Sequence, residues 1–194
     1  MNTIIYEDSE QGEVPVDVYQ KLSDSRILFV TGIITDDLAS DIAATLLLKD
    51  QEDSTEQITL FINSPGGDIR NVFMIYDMIQ MIEAPVETVC IGEASGVAAI
   101  LLAAGAPGSR LATKNSIIAI GQLEQHFQGQ ADMVDAKKYL DLFVEDNLRM
   151  MKIFADASGK PVKQVMEDFD RTVFMTASRA FKYGLISKVV TFNK

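Results

Sequence analysis

The chain has very few residues suited to metal or disulfide chemistry. It contains one cysteine, Cys90, one histidine, His126, and no tryptophan. A single cysteine cannot form an internal disulfide, and one cysteine with one histidine cannot complete a structural zinc site. We therefore expect neither a disulfide nor a metal. Cys90 lies in the apolar run 86–91, where we expect it to be a buried, small hydrophobic residue.

Basic residues and long apolar runs are also scarce. The chain has 17 Lys and Arg against 28 Asp and Glu, a net charge of −11, which argues against a nucleic-acid-binding surface. The apolar run 97–104 is shorter than the roughly 18 residues that a membrane span needs. The acidic segment 1–13 lacks the basic start and apolar middle of a signal peptide. We expect a cytoplasmic protein that binds no membrane, with a processed organellar protein as the alternative.

Apolar patterning predicts one α/β domain. The chain has 194 residues, of which 47% are hydrophobic, enough for one core. Strand-like runs alternate with helical periodicity, which is typical of α/β proteins. The predicted strands are 26–31, 58–63, 86–91, 110–112, 116–120, 173–175 and 185–190. The predicted helices follow the N-cap residue Thr35 and the turn at Gly67, and cover 94–104, 131–157, 162–168 and 176–183, the last with Gly184 as its C-terminal cap.

Two segments stand out within this pattern. The predicted helix 131–157 carries apolar residues near a seven-residue spacing, and it is long enough to project from the domain and meet a partner. The sequence Ser-Pro-Gly-Gly at 64–67 predicts a sharp strand-to-helix turn, in which glycines allow close backbone approach. No Gly-Lys-Ser/Thr follows, so the turn is not a phosphate loop. A plain tight turn is the alternative.

Three stretches carry a resemblance to a known family. They are INSPGG at 62–67, LLAAGA at 101–106 and FMTASRAFKYGLI at 174–186. With matching spacing over nearly the whole length, the chain resembles the Clp protease proteolytic subunit family. The resemblance implies a crotonase-like ββα superhelix with a protruding strand–long-helix handle. It divides a single domain, 1–194, into an axial segment 1–18, a head 19–121 and 158–194, and a handle 122–157.

The resemblance also implies partners. Family subunits form seven-membered rings that stack through their handles around a protease chamber, and an AAA+ unfoldase docks in apolar clefts on the ring face. ATP is then used only by the unfoldase, and the chain needs no cofactor of its own. Four positions match the family's docking cleft: Phe61, Val89, Ile91 and Leu111. Thr59 and Thr113 replace larger apolar residues, so we expect weaker or altered docking.

The three positions of the family's catalytic triad hold residues without catalytic chemistry. The serine position in GEASGVAA (92–99) is Gly96, the histidine position in IGQL (120–123) is Gly121, and the aspartate position in DFDRTVF (168–174) is Thr172. Acyl transfer needs a nucleophile, a base and a group that orients the base, and these residues supply none of them. Gly67 and Val97 match the family's backbone oxyanion donors. The chain thus resembles the degenerate, non-catalytic members of the family.

Three hypotheses of function follow. The chain is a non-catalytic subunit of a mixed Clp ring, a homo-oligomeric scaffold or regulator without peptidase activity, or a hydrolase with a rearranged site at Ser95 and His126. The alternative to the third hypothesis is that Ser95 is a small residue at the start of a helix and His126 is a solvated loop residue. If only the reactive groups are missing, the triple variant Gly96→Ser, Gly121→His, Thr172→Asp should regain weak activity, unless the vacated space has closed.

Overall fold

The computed structural model describes residues 4–9, 12–123 and 133–191. Its strands are β1 (Ile4–Ser9), β2 (Gly12–Asp17), β3 (Ile27–Thr31), β4 (Ile58–Ser64), β5 (Val86–Ser95), β6 (Arg110–Thr113), β7 (Ile117–Ile120), β8 (Val173–Thr176) and β9 (Lys188–Val190). Its helices are α1 (Val18–Asp24), α2 (Asp36–Glu52), α3 (Ile69–Met81), α4 (Ala98–Ala103), α5 (Met133–Ser158), α6 (Val162–Asp168) and α7 (Ala177–Tyr183).

A mostly parallel sheet organises the fold and confirms the predicted α/β class. Strands β3, β4, β5, β6 and β9 lie side by side in that order, all parallel. The carboxyl end of β5 also pairs with β7, and β8 runs antiparallel to β7. Because successive strands alternate with helices, parallel pairing through crossovers follows directly. Strands β1 and β2 form a separate hairpin that the sequence did not predict.

The core lies between the sheet and the small apolar helix α4. Leu60 and Ile62 of β4 and Cys90 of β5 are fully buried, so the prediction for Cys90 is confirmed. Residues of α4 from Ala98 to Leu102 are all buried, and the helix packs against β5, α3 and α5. Its alanines allow this close approach because they add little volume.

Two predicted boundaries near the sheet are wrong. Strand β5 continues to Ser95 and pairs it with Ala119 of β7, so the helix predicted from residue 94 begins only at Ala98. The extra pairing partner overrides the helical propensity of the alanines. The last strand begins at Lys188 and not at 185. Leu185 and Ile186 are instead buried after the left-handed cap of α7 at Gly184, which the sequence did predict.

The long helix α5 has two different halves. Its last turns bury Met150, Met151 and Phe154 in the core. Its earlier turns expose large apolar side chains, which have relative exposures between 42% and 59%: Tyr139, Leu140, Leu142, Val144 and Leu148. Residues 131 and 132 of the predicted helix lie outside the described residues. The apolar stripe predicted for this helix is therefore core at one end and open surface at the other.

Candidate functional site

The turn after β4 is held tightly against the segment that leads into α2. The Gly66 amide donates to the Ser64 hydroxyl at 3.1 Å, and the Ile34 amide donates to the Gly66 carbonyl at 2.9 Å. A Cβ added to Gly67 would lie 2.4 Å from the Ile34 carbonyl oxygen. No side chain fits at that distance, so glycine at 67 is a requirement of backbone packing.

The junction between β5 and α4 lies directly beside this turn. Gly96 has φ +56° and its amide donates to the Ala119 carbonyl at 2.9 Å, which ends the pairing with β7. A Cβ placed on Gly66 would lie 3.3 Å from the Ser95 carbonyl oxygen and 3.9 Å from the Val97 nitrogen. The two backbone segments that carry Gly67 and Val97 are thus in contact. In the part of the chain that the structure describes, neither amide donates to another protein group.

Gly121 and Thr172 are in direct contact. The antiparallel pairing of Ile120 with Val173 places their neighbours beside each other. A Cβ on Gly121 would lie 2.6 Å from the Thr172 Oγ1 atom and 2.9 Å from its Cα atom. Since packed carbon atoms prefer about 3.5–4.0 Å, Thr172 occupies the space that a side chain at 121 would need.

All five positions assigned from the motifs converge on one cavity of about 270 Å³. Its described lining residues are Pro65, Gly66, Gly67, Gly96, Val97, Gly121, Gln122, Leu123, Met150 and Thr172. None of these side chains is a carboxylate, an imidazole, a thiol or a serine hydroxyl. The cavity therefore has a backbone surface, two available amides and the Thr172 hydroxyl, but its described walls supply no base that could activate a nucleophile.

Ser95 does not line this cavity. It is the last residue of β5, and its hydroxyl donates to the Glu93 carboxylate at 3.0 Å. The expectation that Ser95 starts a helix is wrong, because β-pairing with Ala119 holds it in the strand. His126, the proposed partner of Ser95, lies outside the described residues. Burial raises the pKa of the Cys90 thiol to about 11, so this group is protonated and unreactive at neutral pH.

The middle of α5 is tied to the start of α3 and to the segment after β7. The buried Asp146 carboxylate pairs with Arg70 at the start of α3 and with Arg149 one turn along α5. The neighbouring Asn147 side-chain oxygen accepts from the Leu123 amide at 3.1 Å. The sequence did not predict these contacts, nor that Met150 lines the cavity, because no local pattern indicates a contact with a residue far away in the chain.

The four residues assigned to a docking cleft lie on one face of the sheet. Register pairs Phe61 with Val89 and Val89 with Leu111, so the three form a row across β4, β5 and β6. The ring of Phe29 extends the row and stacks on Phe61 at 5.1 Å. Ile91 lies two residues further along the same face and is 42% exposed. Their role in unfoldase docking stays a prediction.

Fold and cavity together define the class of protein. A glycine turn after a parallel strand and a strand–helix junction present backbone amides to one cavity, as in acyl-transfer sites that stabilise an oxyanion. The family model for Clp protease matches residues 10–193. The chain belongs to the Clp protease family. In the described part of the chain no helix is long and apolar enough to cross a membrane, and no group of three metal-ligating side chains occurs.

Proposed function

We propose that this chain is a catalytically inactive subunit of a Clp-type proteolytic chamber, which degrades unfolded polypeptides together with catalytic relatives. One observation carries the proposal: Gly96, Gly121 and Thr172 occupy the three reactive positions around a cavity whose backbone amides are kept. Proteases that lose their triad retain only about 10³–10⁴-fold catalysis over water, against losses of about 10⁶. Such a residual rate would not support turnover.

The contact between Gly121 and Thr172 strengthens this proposal. If only the imidazole had been lost, an open space would remain beside Gly121. Instead the Thr172 side chain lies within 2.6 Å of the position where a Cβ would be built. Two changes at distant points of the chain therefore fit each other, which is the packing expected of a site no longer constrained by catalysis.

The rearranged-site hypothesis has less support. The Ser95 hydroxyl is bound to Glu93 and lies outside the cavity that holds the Gly67 and Val97 amides. A nucleophile needs those donors about 3 Å from the reacting oxygen. The scaffold hypothesis differs from the main proposal only in its partners. Co-purification of the native complex with identification of its subunits separates the two, since a mixed ring contains catalytic relatives and a scaffold does not.

Labelling by a serine-directed fluorophosphonate tests inactivity. We expect no labelling of the purified chain, because no serine hydroxyl is paired with a base beside the two amides. The matched variants are Ser95→Ala and His126→Ala. Labelling of the unmodified chain that disappears in both variants would establish the rearranged site and overturn the proposal.

Assembly through α5 is the next expectation. In this proposal the exposed apolar residues of α5 lie at the ring–ring interface, where a partner would bury them. Sedimentation at micromolar concentration should show a particle several times larger than the 21.4 kDa chain. A Leu140→Glu, Leu148→Glu variant should lose about half of that mass, because it separates two rings while each ring is kept.

The control for assembly introduces the same substitution, an exposed apolar residue changed to glutamate, on another helix. Met166 of α6 is also an exposed apolar residue, at 37%, and Met166→Glu should leave the particle unchanged. A wild-type chain that sediments only as a monomer, or a Met166→Glu variant that dissociates equally, contradicts the assignment of α5. Any ATP requirement of the complex then belongs to a partner AAA+ unfoldase, which this proposal places on the Phe61 row.

A further inference from the structure

A second concave site lies between α6, β8 and α7. It is an open concavity of about 480 Å³ and shares no lining residue with the glycine-lined cavity. Its accessible apolar surface comes from Val173 and the ring of Tyr183, which are half-buried, while Phe169 and Met175 beneath them are almost fully buried. Its rim carries three cations, Lys160, Arg179 and Lys182. We call this site the basic cleft.

Tyr183 occupies the wall of the basic cleft and holds its one carboxylate. The Tyr183 hydroxyl donates to Asp168 at 2.7 Å, and its ring lies 4.8 Å from the Lys160 ammonium and 5.2 Å from the Phe169 ring. Burial, and then Asp168, raises the pKa of Tyr183, so the phenol stays protonated and keeps donating. The Asp168 carboxylate keeps its negative charge, so the described lining carries one anion against three cations.

The rim cations have no carboxylate partner within the described chain. Neighbouring cations differ: Lys163 lies 4.0 Å from Glu167, and Arg171 lies 4.0 Å from Asp170. None of the three rim cations makes such an ion pair among residues 4–9, 12–123 and 133–191, although the chain has 28 acidic residues. The cleft thus combines net positive charge with an apolar surface on a protein of net charge −11.

We propose that the basic cleft binds a short acidic segment of a partner polypeptide. An apolar side chain of that segment would cover Val173 and the ring of Tyr183, while its carboxylates would meet the ammonium and guanidinium groups of the rim. Charge complementarity favours a short segment over nucleic acid or an anionic membrane. Those ligands present long anionic surfaces, which the net charge of the chain and the adjacent Glu167 and Asp170 would repel.

A defined peptide tests the proposal on the full-length chain. The probe is a fluorescein-labelled hexapeptide of alternating glutamate and leucine, and its control replaces each glutamate by glutamine. Fluorescence anisotropy should show saturable binding of the acidic peptide only. Its affinity should fall several-fold between about 50 and about 300 mM salt, because screening shortens the range of the charges.

Charge reversal locates the binding site. Arg179→Glu and Lys182→Glu should each weaken the acidic peptide at least about tenfold, and Lys163→Glu, an exposed position on α6 outside the cleft, should change it less than about twofold. Thermal melts confirm that each variant is folded, which is expected because Arg179 and Lys182 are exposed.

Four results would overturn the proposal. They are the absence of saturable binding by the acidic peptide, equal binding of the glutamine peptide, equal loss in Lys163→Glu, and tighter binding of phosphatidylserine vesicles or an oligonucleotide than of the peptide. This site is independent of the proposed function, because it stands on residues outside the glycine-lined cavity.

Discussion

Restoring the three family residues together should not restore peptidase activity. In the variant Gly96→Ser, Gly121→His, Thr172→Asp, the new Cβ at 121 would still lie 2.9 Å from the Cα of residue 172, which is backbone and stays in place. The imidazole therefore cannot take its position without moving β7 away from β8. The sequence alone left weak activity open on the condition that the space had not closed, and the structure places Thr172 in that space.

Single alanine variants measure how much an added side chain at these positions destabilises the fold. Gly121→Ala should lower the free energy of unfolding by about 1–3 kcal/mol through overpacking. Gly96→Ala should cost only about 1 kcal/mol, from its φ of +56°, because a Cβ there meets nothing nearer than the Pro65 carbonyl oxygen at 4.0 Å. Adding Thr172→Ala to Gly121→Ala should recover part of the loss, since the Oγ1 contact at 2.6 Å is removed.

The same variants could also show that the space beside Gly121 is not closed. Peptide hydrolysis by the folded triple variant, or a Gly121→Ala variant as stable as the wild type, would show that β7 and β8 separate easily. The cavity would then be a latent active site and not a repacked one.

Gly67→Ala should be the most destabilising change at the cavity. Its Cβ would lie 2.4 Å from the carbonyl oxygen and 2.8 Å from the nitrogen of Ile34, so backbone and not side chain must move. The hydrogen bond from the Ile34 amide to the Gly66 carbonyl would break as the turn shifts. We expect the free energy of unfolding to fall by about 3 kcal/mol. For a chain of this size, that change lowers the Tm by roughly 6–12 °C.

Gly108→Ala is the matched control for this change. Gly108 has φ +88° with nothing within 4 Å of an added Cβ, so only the backbone strain of about 1 kcal/mol is expected. If both variants lost the same stability, the close approach of the turn to Ile34 would have no energetic weight.

Local signals in the sequence were sufficient to predict most of the strands and helices. Thr35 caps α2 by accepting from the Leu38 amide, and Gly184 ends α7 in the left-handed conformation, both as predicted. The α/β class followed from the alternation of periods. The end of β5 was not predictable, because its last residues are held by β7, which is distant in sequence and replaces the helical preference of an alanine-rich segment.

The candidate site, too, could be predicted from the sequence only in part. Motif spacing identified Gly96, Gly121 and Thr172, and the structure brings them to one cavity. That Thr172 fills the space beside Gly121 could not be predicted, since it depends on the register of an antiparallel pair. The link of Asp146 to Arg70 was equally hidden, because a single acid in an amphipathic helix normally faces solvent.

Hydrolysis of a small fluorogenic peptide measures directly whether the chain has a working active site. The chain should be purified from cells that lack other Clp peptidases, and its activity compared with that of Ser95→Ala at equal concentration. We expect no turnover above background for either protein. Turnover by the wild-type chain that is lost in Ser95→Ala would contradict this expectation, because a working nucleophile would then exist where the structure shows a serine bound to Glu93 outside the cavity.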